Sequence, residues 1–476
     1  MTTKAWDSIE TIAEAVASGH VSATSNVQEA LARLKEHEDS KAIIEIYRDR
    51  ALERAKAIDA DIKQGKPAGR LAGVPFIAKD NFLTFGGKTT AASNILKPFE
   101  APYQATAIER LEAEGAICVA KANLDAFAHG SSTENSDFMV TKNPHDPTRV
   151  PGGSSGGSAT AVALNIAPFA LGTDTGGSIR QPASYCGVVG YKPTYGLVSR
   201  SGVVAMASST DVIGPITRSA KDAAIVLDVM SGRDQFDSTT VDRDHTPYTQ
   251  FDESLKGKKV GVIKEYMGEG VDEHVRARIE SAIQSMQQAG AEIVEVSLPS
   301  LPLALACYYI ICPAEVSSNL SRYDGQRYGY SDKNAKDLDE SYDLSREVGF
   351  GREAKRRIMI GTYVLSSGYY DAYYKKAQTV RTKIIEEFAQ AFKKVDLLVG
   401  PTAPTPAFQI GAHTDDPLQM YLSDIMTVAV NLAGVPAVSI PAGRVNNLPI
   451  GLQIIAPQHH DRLLLSIANQ TERILE

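Results

Sequence analysis

Two glycine-serine turns, separated by a stretch rich in alanine, valine and leucine, constrain the fold of this chain most strongly. Residues 152–196 hold ten glycines in 45 positions, whereas the whole chain of 476 residues holds 37. The segment between the turns, SATAVALNIAPFALGTD, predicts a helix followed by a buried strand. Because packed elements anchor both turns, we expect rigid, prescribed backbone here and not a flexible linker.

Strands and helices alternate on both sides of this region. LAGVPFIAKDN and GAICVAKAN read as buried strands, and helical and apolar runs alternate again in AKDAAIVLDVMSG, KKVGVIKE, DEHVRARIESAIQSMQQAG and AEIVEVSLP. Three later apolar runs, VDLLVGPT, VPAVSIPAG and PIGLQIIAP, precede a final helix. The pattern predicts the α/β class, as one large layered α/β/α fold.

Two parts of the chain lack this alternation. Residues 1–62 predict a helical N-terminal layer packed on the core, and 63–476 form the main domain. Residues 301–394 carry no strand pattern, which predicts a helical cap inserted into that domain.

Composition limits the classes of function. A net charge of -8 argues against tight independent binding of nucleic acid. The spacing of the four cysteines fits neither a metal pair nor a disulfide framework, which predicts reduced and mostly buried thiols. The N-terminus lacks the continuous apolar core of a secretory signal, and no run approaches about 20 uninterrupted apolar residues, so we expect a cytoplasmic protein.

The first glycine turn superficially matches two known motifs. A phosphate-binding P-loop needs lysine after its last glycine, but Gly157 is followed by Ser158. Gly152–Gly156 matches the GxSxG nucleophile elbow in letters alone, because the preceding NPHDPTRVP predicts a loop where the elbow needs a strand. Both interpretations are therefore disfavoured.

The second turn, TDTGGSIRQPAS, suits a nucleophile beside an oxyanion site. A strand ends near Asp174, and two glycines lead into the start of a short helix. The glycines let backbone N–H groups converge, and the N-terminus of the helix adds positive potential at the same place. We therefore expect Ser178 to attack a carbonyl while the backbone of Thr175, Gly176, Gly177 and Ser178 forms the oxyanion hole.

A serine nucleophile needs a base, and Lys79 at the end of the strand GVPFIAK is a candidate. Such a lysine more often packs its stem on the core, but burial that lowers its pKa would leave the amine neutral. Ser154 could then pass the proton from Ser178 to Lys79. The predicted catalytic group is a Ser-Ser-Lys relay with no metal and no histidine.

Several long motifs carry a resemblance. GVPFIAKDN, GSSTENSDF, RVPGGSSGGSA, GTDTGGSIRQPASYCGVVGYKPTYGLVSR and DVIGPITRS together resemble the amidase signature family. SSNLSRYDG, KRRIMIGTY, SGYYDAYYKKAQ and VNLAGVPAVSIPAG resemble the branch of that family that hydrolyses glutamine within tRNA-dependent amidotransferases. The resemblance extends over nearly the whole chain.

This resemblance implies a mixed central sheet flanked by helices, and the same roles for Ser178, Ser154 and Lys79 as nucleophile, bridge and base. It implies a heterotrimer in which this chain releases ammonia from glutamine, Glu-tRNA(Gln) is amidated by a B subunit, and a C subunit bridges the two. ATP and Mg²⁺ would be used through the partner subunit, tRNA would bind mainly there, and this chain would carry no cofactor. Asp-tRNA(Asn) is an alternative substrate of the complex.

The resemblance also places the glutamine contacts, at Ser131, Tyr308, Arg357 and Asp424. A guanidinium fork suits the α-carboxylate of a free amino acid, and a carboxylate suits its α-ammonium. The neighbours Arg356 and Tyr309 remain alternatives to Arg357 and Tyr308.

Three more polar residues near the motifs are assigned no chemical step. We assign His129 to packing or backbone contact, and Asp174 and Arg180 to support of the site.

Two other functions remain open. A stand-alone amidase of the same family acting on another small amide would share the relay and differ in the cap. A non-catalytic scaffold that docks a tRNA-binding partner would need none of the relay residues, and all three are present.

Overall fold

One large mixed sheet organises the computed structural model, which describes residues 5–476. Its eleven strands lie in the order β1-β3-β2-β4-β6-β5-β10-β11-β9-β7-β8. The strands are β1 Ile43–Ile46, β2 Pro75–Lys79, β3 Ile117–Ala122, β4 Phe169–Asp174, β5 Val189–Lys192, β6 Val212–Thr217, β7 Lys259–Ile263, β8 Glu292–Val296, β9 Leu397–Pro401, β10 Ala437–Val445 and β11 Leu448–Ile455.

Helices connect and flank these strands. They are α1 Ile9–Ala17, α2 Ala23–Glu36, α3 Arg48–Lys63, α4 Thr106–Ala113, α5 Gly156–Ala163, α6 Arg180–Cys186, α7 Ala220–Met230, α8 Glu273–Gln288, α9 Ala304–Asn319, α10 Leu338–Gly349, α11 Arg352–Leu365, α12 Lys376–Ala391, α13 Pro417–Leu422, α14 Val428–Ala433 and α15 Asp461–Leu475. The α/β class and the mixed sheet flanked by helices are confirmed.

The order of the central strands brings the chemical motifs together. β2 and β4 are hydrogen-bonded in parallel, with Phe76 opposite Phe169 and Ala78 opposite Leu171. Every residue of both strands is buried, as expected for parallel strands covered on both faces. Their carboxyl ends therefore reach the same edge of the sheet, where Lys79 and the second glycine turn lie.

The N-terminal segment differs from the helical layer predicted for residues 1–62. Its helices α1, α2 and α3 are present, but residues 43–46 form β1, which pairs antiparallel with β3 at the edge of the sheet. The strand was missed because four residues between two long helices give too short a pattern to recognise. Residues 1–4 of the predicted layer lie outside the described residues.

Residues 301–394 fold mainly as helices. The main helices are α9, α10, α11 and α12, and α9 packs against both α11 and α12. The stretch Leu301–Arg322 is long and apolar enough to cross a membrane by length and composition, with half of its most apolar window buried inside the protein. Core helices pass the same test, and here α11 and α12 cover α9.

The cysteines agree with the prediction of reduced thiols. Cys118, Cys186, Cys307 and Cys312 are all free and buried.

Candidate active site

Lys79 is the centre of the site. Its amine lies at the end of β2 with no exposed surface, and it donates hydrogen bonds to Ser154 Oγ at 2.7 Å, Ser155 Oγ at 2.9 Å and Thr173 Oγ1 at 2.9 Å. Burial lowers the pKa of Lys79 to about 7, although the carboxylates of Asp125 and others nearby oppose the shift. A large fraction of the amine is therefore neutral near pH 7.

The two serines beside Lys79 are not equivalent. Ser155 Oγ donates to the carbonyl of Thr173 at 3.2 Å, so its proton is already engaged. Ser154 Oγ donates to no acceptor among the described residues, and its hydroxyl proton can face the lone pair of a neutral amine. Of the two hydroxyls, only that of Ser154 is therefore left without another acceptor among the described residues, which favours it for proton exchange with Lys79.

Ser178 lies at the start of the turn that leads into α6. It is 8% exposed, and its carbonyl accepts a hydrogen bond from the backbone N–H of Ser155 at 3.1 Å, which joins the two glycine turns. Within residues 5–476 the structure shows no hydrogen bond to the hydroxyl of Ser178. Ser178 and Ser154 are therefore connected only by the backbone hydrogen bond that holds their two turns together. Catalytic hydrogen bonds often tighten only when substrate binds.

The four amides predicted to form the oxyanion hole differ in whether they already donate a hydrogen bond. The N–H of Gly177 already donates to Asp174 Oδ1 at 2.8 Å. In the described part of the chain, the N–H groups of Thr175, Gly176 and Ser178 donate no hydrogen bond. In this geometry a buried carboxylate accepts the amide N–H of Gly177, whereas the other three amides remain available to a ligand.

Both glycines of this turn are required by their surroundings. A Cβ at Gly176 would lie 2.7 Å from the ring of Tyr308, and one at Gly177, where φ is +133°, would lie 2.2 Å from Thr427 Oγ1. Thr427 in turn donates to the carbonyl of Gly176 at 2.6 Å. The turn is thus clamped between the cap helix α9 and the segment before α14.

Asp174 and Arg180 form a buried support beneath the turn, as expected. Arg180 Nη2 lies 2.9 Å from Asp174 Oδ1, and Asn431 Nδ2 donates to the same carboxylate at 3.0 Å. Burial opposes the charge on Asp174, but Arg180 holds the pKa of that carboxyl below its usual range. The carboxylate is fixed as an acceptor for the turn and not as a proton carrier.

The four predicted glutamine contacts lie around one site. Ser131 Oγ donates a short hydrogen bond to Asp424 Oδ2, and Asp424 is buried. Burial raises the pKa of Asp424 to about 8, while Ser131 and the nearby Arg357 lower it. A positively charged group of a ligand beside Asp424 would compensate for the hydration that the carboxylate loses on burial, and would so favour its ionised form.

Arg357 occupies an aromatic cage. Its guanidinium lies 5.2 Å from the ring centroid of Tyr309 and 5.7 Å from that of Tyr421, and these two rings stack at 3.8 Å. Its Nε donates to Glu353 Oε1 at 2.9 Å, and in residues 5–476 its terminal nitrogens donate to no acceptor. Two parallel N–H groups thus remain for a carboxylate.

The structure separates the alternatives left open by the sequence. Arg356 pairs with Glu353 and is partly exposed at the rim, whereas Arg357 is buried behind it. Tyr308 lies against Gly176 in the turn, whereas Tyr309 forms the cage around Arg357. Arg357 is thus the buried member of the arginine pair, Tyr308 is the tyrosine beside the second glycine turn, and Tyr309 contacts Arg357.

His129 is buried near Phe127, whose ring centroid is 6.2 Å from that of the imidazole. Burial and the charge of Arg357 lower the pKa of His129 well below its usual value. A neutral, packed imidazole agrees with the role assigned from the sequence.

Sequence reasoning missed several residues that hold the site. Glu353, four residues before Arg357, has the helical spacing of an ion pair and was recognisable. Gln181 accepts from the N–H of Gly153 at 2.9 Å and donates to the carbonyl of Ser131 at 3.0 Å. Only the folded chain brings those loops together.

Comparison with known proteins now identifies the family. The family model described as Amidase matches residues 25–465. The chain belongs to this family. The A subunit of glutamyl-tRNA(Gln) amidotransferase from Caldanaerobacter subterraneus subsp. tengcongensis is 55% identical over 455 residues, covering 95% of this chain and 93% of the relative. Its counterpart from Thermoanaerobacter pseudethanolicus is 53% identical, covering 98% and 96%.

A solved structure gives the same result. The crystal structure of the glutamyl-tRNA(Gln) amidotransferase A subunit from Thermotoga maritima has a TM-score of 0.77 and 42% sequence identity, covering 94% of this chain and 90% of that chain. The chain is therefore an amidase acting on carbon-nitrogen bonds.

Proposed function

We propose that this chain is the glutamine-hydrolysing subunit of a tRNA-dependent amidotransferase. The observation that carries the proposal is the hydrogen bond from the buried amine of Lys79 to Ser154 Oγ, and the buried Arg357 and Asp424 support it as groups of opposite charge suited to a free amino acid. Relatives at 50–55% identity that are named as amidotransferase A subunits support the same activity. A stand-alone amidase would not need a charge pair that matches a free α-amino acid.

The reaction follows from the positions of the groups. Neutral Lys79 takes the proton of Ser154, Ser154 takes that of Ser178, and Ser178 Oγ bonds to the side-chain carbonyl carbon of glutamine. The carbonyl electron pair moves to oxygen, where the free N–H groups of the second glycine turn stabilise it. The carbon-nitrogen bond then breaks, and the proton returns through Ser154 to the leaving nitrogen as ammonia departs.

An ester between Ser178 and the glutamyl group remains. Water attacks this ester through the same relay and releases glutamate and the free serine. One glutamine and one water thus give one glutamate and one ammonia. Arg357 and Asp424 hold the substrate ends, so that the reacting carbonyl is oriented on Ser178.

The names of the relatives imply a complex of several subunits. We extend this to a heterotrimer with B and C subunits in the cytoplasm, in which the B subunit binds tRNA, ATP and Mg²⁺ and amidates Glu-tRNA(Gln) or Asp-tRNA(Asn). In this arrangement the chain itself would hold neither nucleotide nor metal.

The test is reconstitution with B and C subunits and measurement of glutamine hydrolysis with and without charged tRNA and ATP. Ser178→Ala is expected to abolish glutamine-dependent amidation and to leave ammonia-dependent amidation intact. Ser158→Ala is the matched control, because within residues 5–476 its hydroxyl donates only to the carbonyl of Leu171, at 2.9 Å. Good hydrolysis of aryl or acyl amides with poor hydrolysis of glutamine would indicate a stand-alone amidase, and equal loss of both amidations a scaffold.

A further inference from the structure

We propose that the outer face of the helical cap docks a protein subunit with an apolar centre and an acidic rim. We call this face the tyrosine surface and define it as Met359, Tyr363, Leu365, Tyr369, Tyr370 and Tyr373. The assignment of the partner as the B–C pair rests on the proposed function. The surface itself is argued from exposure, ring packing and charge.

The tyrosine surface exposes large apolar side chains that nothing in residues 5–476 covers. Met359 is 72% exposed, and every residue from 365 to 373 is exposed. The π-helical turn Tyr370–Lys375 buries no residue. Contiguous exposed apolar surface of this kind marks an interaction site, and π-helical turns are frequent at functional sites.

The tyrosine rings hold one another in place. The ring centroids of Tyr363 and Tyr369 are 4.3 Å apart, those of Tyr363 and Tyr373 are 6.0 Å apart, and those of Tyr369 and Tyr373 are 6.1 Å apart. A cluster that is already ordered loses little side-chain entropy when it binds. Tyrosine is also enriched among the residues that dominate binding energy in protein interfaces.

Charge indicates the chemistry of the partner. The helices and turn that carry the surface span 352–391, where the exposed cations are Arg352, Lys375, Lys376 and Lys383 and the exposed anions are Asp371 and Glu386. The chain as a whole has a net charge of -8. This local excess of positive charge complements an acidic rim on the partner.

The ring arrangement favours protein over nucleic acid as the occupant. Single-stranded nucleic acid stacks its bases on free aromatic faces, whereas Tyr363, Tyr369 and Tyr373 pack against each other in tilted contacts. Met359 and Leu365, which lie on the same helix as Tyr363, add exposed aliphatic side chains. Such a mixture resembles the core of a protein interface.

The tyrosine surface lies on the helix that also positions the substrate clamp. Met359 and Tyr363 are on the outer side of α11, and Arg357 is on its buried side. A partner on this face would therefore contact the element that holds the guanidinium for the substrate carboxylate.

The experiment measures the dissociation constant of the full chain for the B–C pair from the same organism, without glutamine, ATP or tRNA. We expect Met359→Ser, the double variant Tyr369→Ser/Tyr373→Ser, and Lys376→Glu each to weaken binding at least about tenfold. Phe236→Ser is the matched control, because Phe236 is 74% exposed in a loop outside the surface and its substitution should leave binding unchanged. Unchanged melting temperatures show that the variants fold.

Binding of the three variants within about twofold of the unmodified chain, or no binding of the unmodified chain to the B–C pair, would overturn the proposal. Intact assembly with weakened binding of charged tRNA by the assembled complex would also overturn it, in favour of a nucleic-acid surface. If the assembled complex hydrolyses no glutamine, the proposed function fails, while the binding measurement still decides on the docking surface.

Discussion

Lys79 Nζ lies 2.7 Å from Ser154 Oγ, across 75 positions of sequence, with both residues fully buried. The same amine reaches Ser155, whose own proton is engaged by the carbonyl of Thr173. The carbonyl of Thr173, and not the distance to the amine, therefore distinguishes between two adjacent serines that look identical in the sequence GGSSGGS.

Substitution of Ser154 and substitution of Ser155 should have different effects on kcat. Ser154→Ala removes the hydroxyl that carries the proton, and we expect kcat for glutamine to fall about 10²–10⁴-fold, the range for loss of general acid-base catalysis. Ser155→Ala removes one acceptor of Lys79, and we expect a loss of less than about tenfold, the effect of one neutral hydrogen bond. Steady-state kinetics of the assembled complex measure both, and equal losses would contradict the assignment of Ser154 as the bridge.

Lys79→Met and Lys192→Met form a matched pair. Burial lowers the pKa of each lysine to about 7, but Lys192 donates only to the carbonyl of Pro193, at 3.0 Å, within residues 5–476. We expect Lys79→Met to lose at least about 10³-fold in kcat and Lys192→Met to keep kcat within about threefold. Glutaminase assays with melting temperatures for both variants decide this, and a comparable loss in a folded Lys192→Met would argue against a base specific to Lys79.

The pH profile should show two groups that must lose a proton. Lys79, with a pKa of about 7, must be neutral to accept a proton, and Asp424, with a pKa of about 8, must be ionised to bind an ammonium. We expect kcat/KM to rise with pH, with a slope near two below about pH 7 and near one from about pH 7 to 8. At saturating glutamine, kcat should keep only the limb near pH 7, because the bound ammonium holds Asp424 ionised.

Asp424→Asn is the control for that profile. The amide keeps the size of the side chain and cannot titrate, so KM for glutamine should rise, the upper limb of kcat/KM should vanish, and the limb near pH 7 should remain. A profile of this variant that still shows both limbs would mean that Asp424 is not the second group.

Gly176→Ala tests the contact between the second glycine turn and the cap. The new Cβ would lie 2.7 Å from the ring of Tyr308, so the ring or the turn must move. We expect a fall in kcat of about 10–10³-fold from displaced oxyanion donors, and Tyr308→Leu should relieve part of it in the double variant. Additive effects of the two substitutions, measured by a double-mutant cycle, would show that the two residues do not interact.

Much of the architecture followed from local patterns. Long amphipathic helices such as α8 and buried strands such as β2 were recognisable from periodicity and apolar runs. The strands β5 and β6 were not predicted, because short strands among turn residues give too few positions for a period. The edge strand β1 was missed for the same reason.

The sequence by itself determined which functional groups are available: a lysine after an apolar strand, two glycine-serine turns, and a cap carrying arginine and tyrosine. Tertiary structure decided what these groups do to one another. Parallel pairing of β2 with β4 sets Lys79 beside Thr173, burial there lowers the pKa of the amine, and the carboxylate of Asp174 accepts the amide N–H of Gly177. Distance and desolvation are properties of packed segments far apart in the chain, so local residue patterns do not encode them.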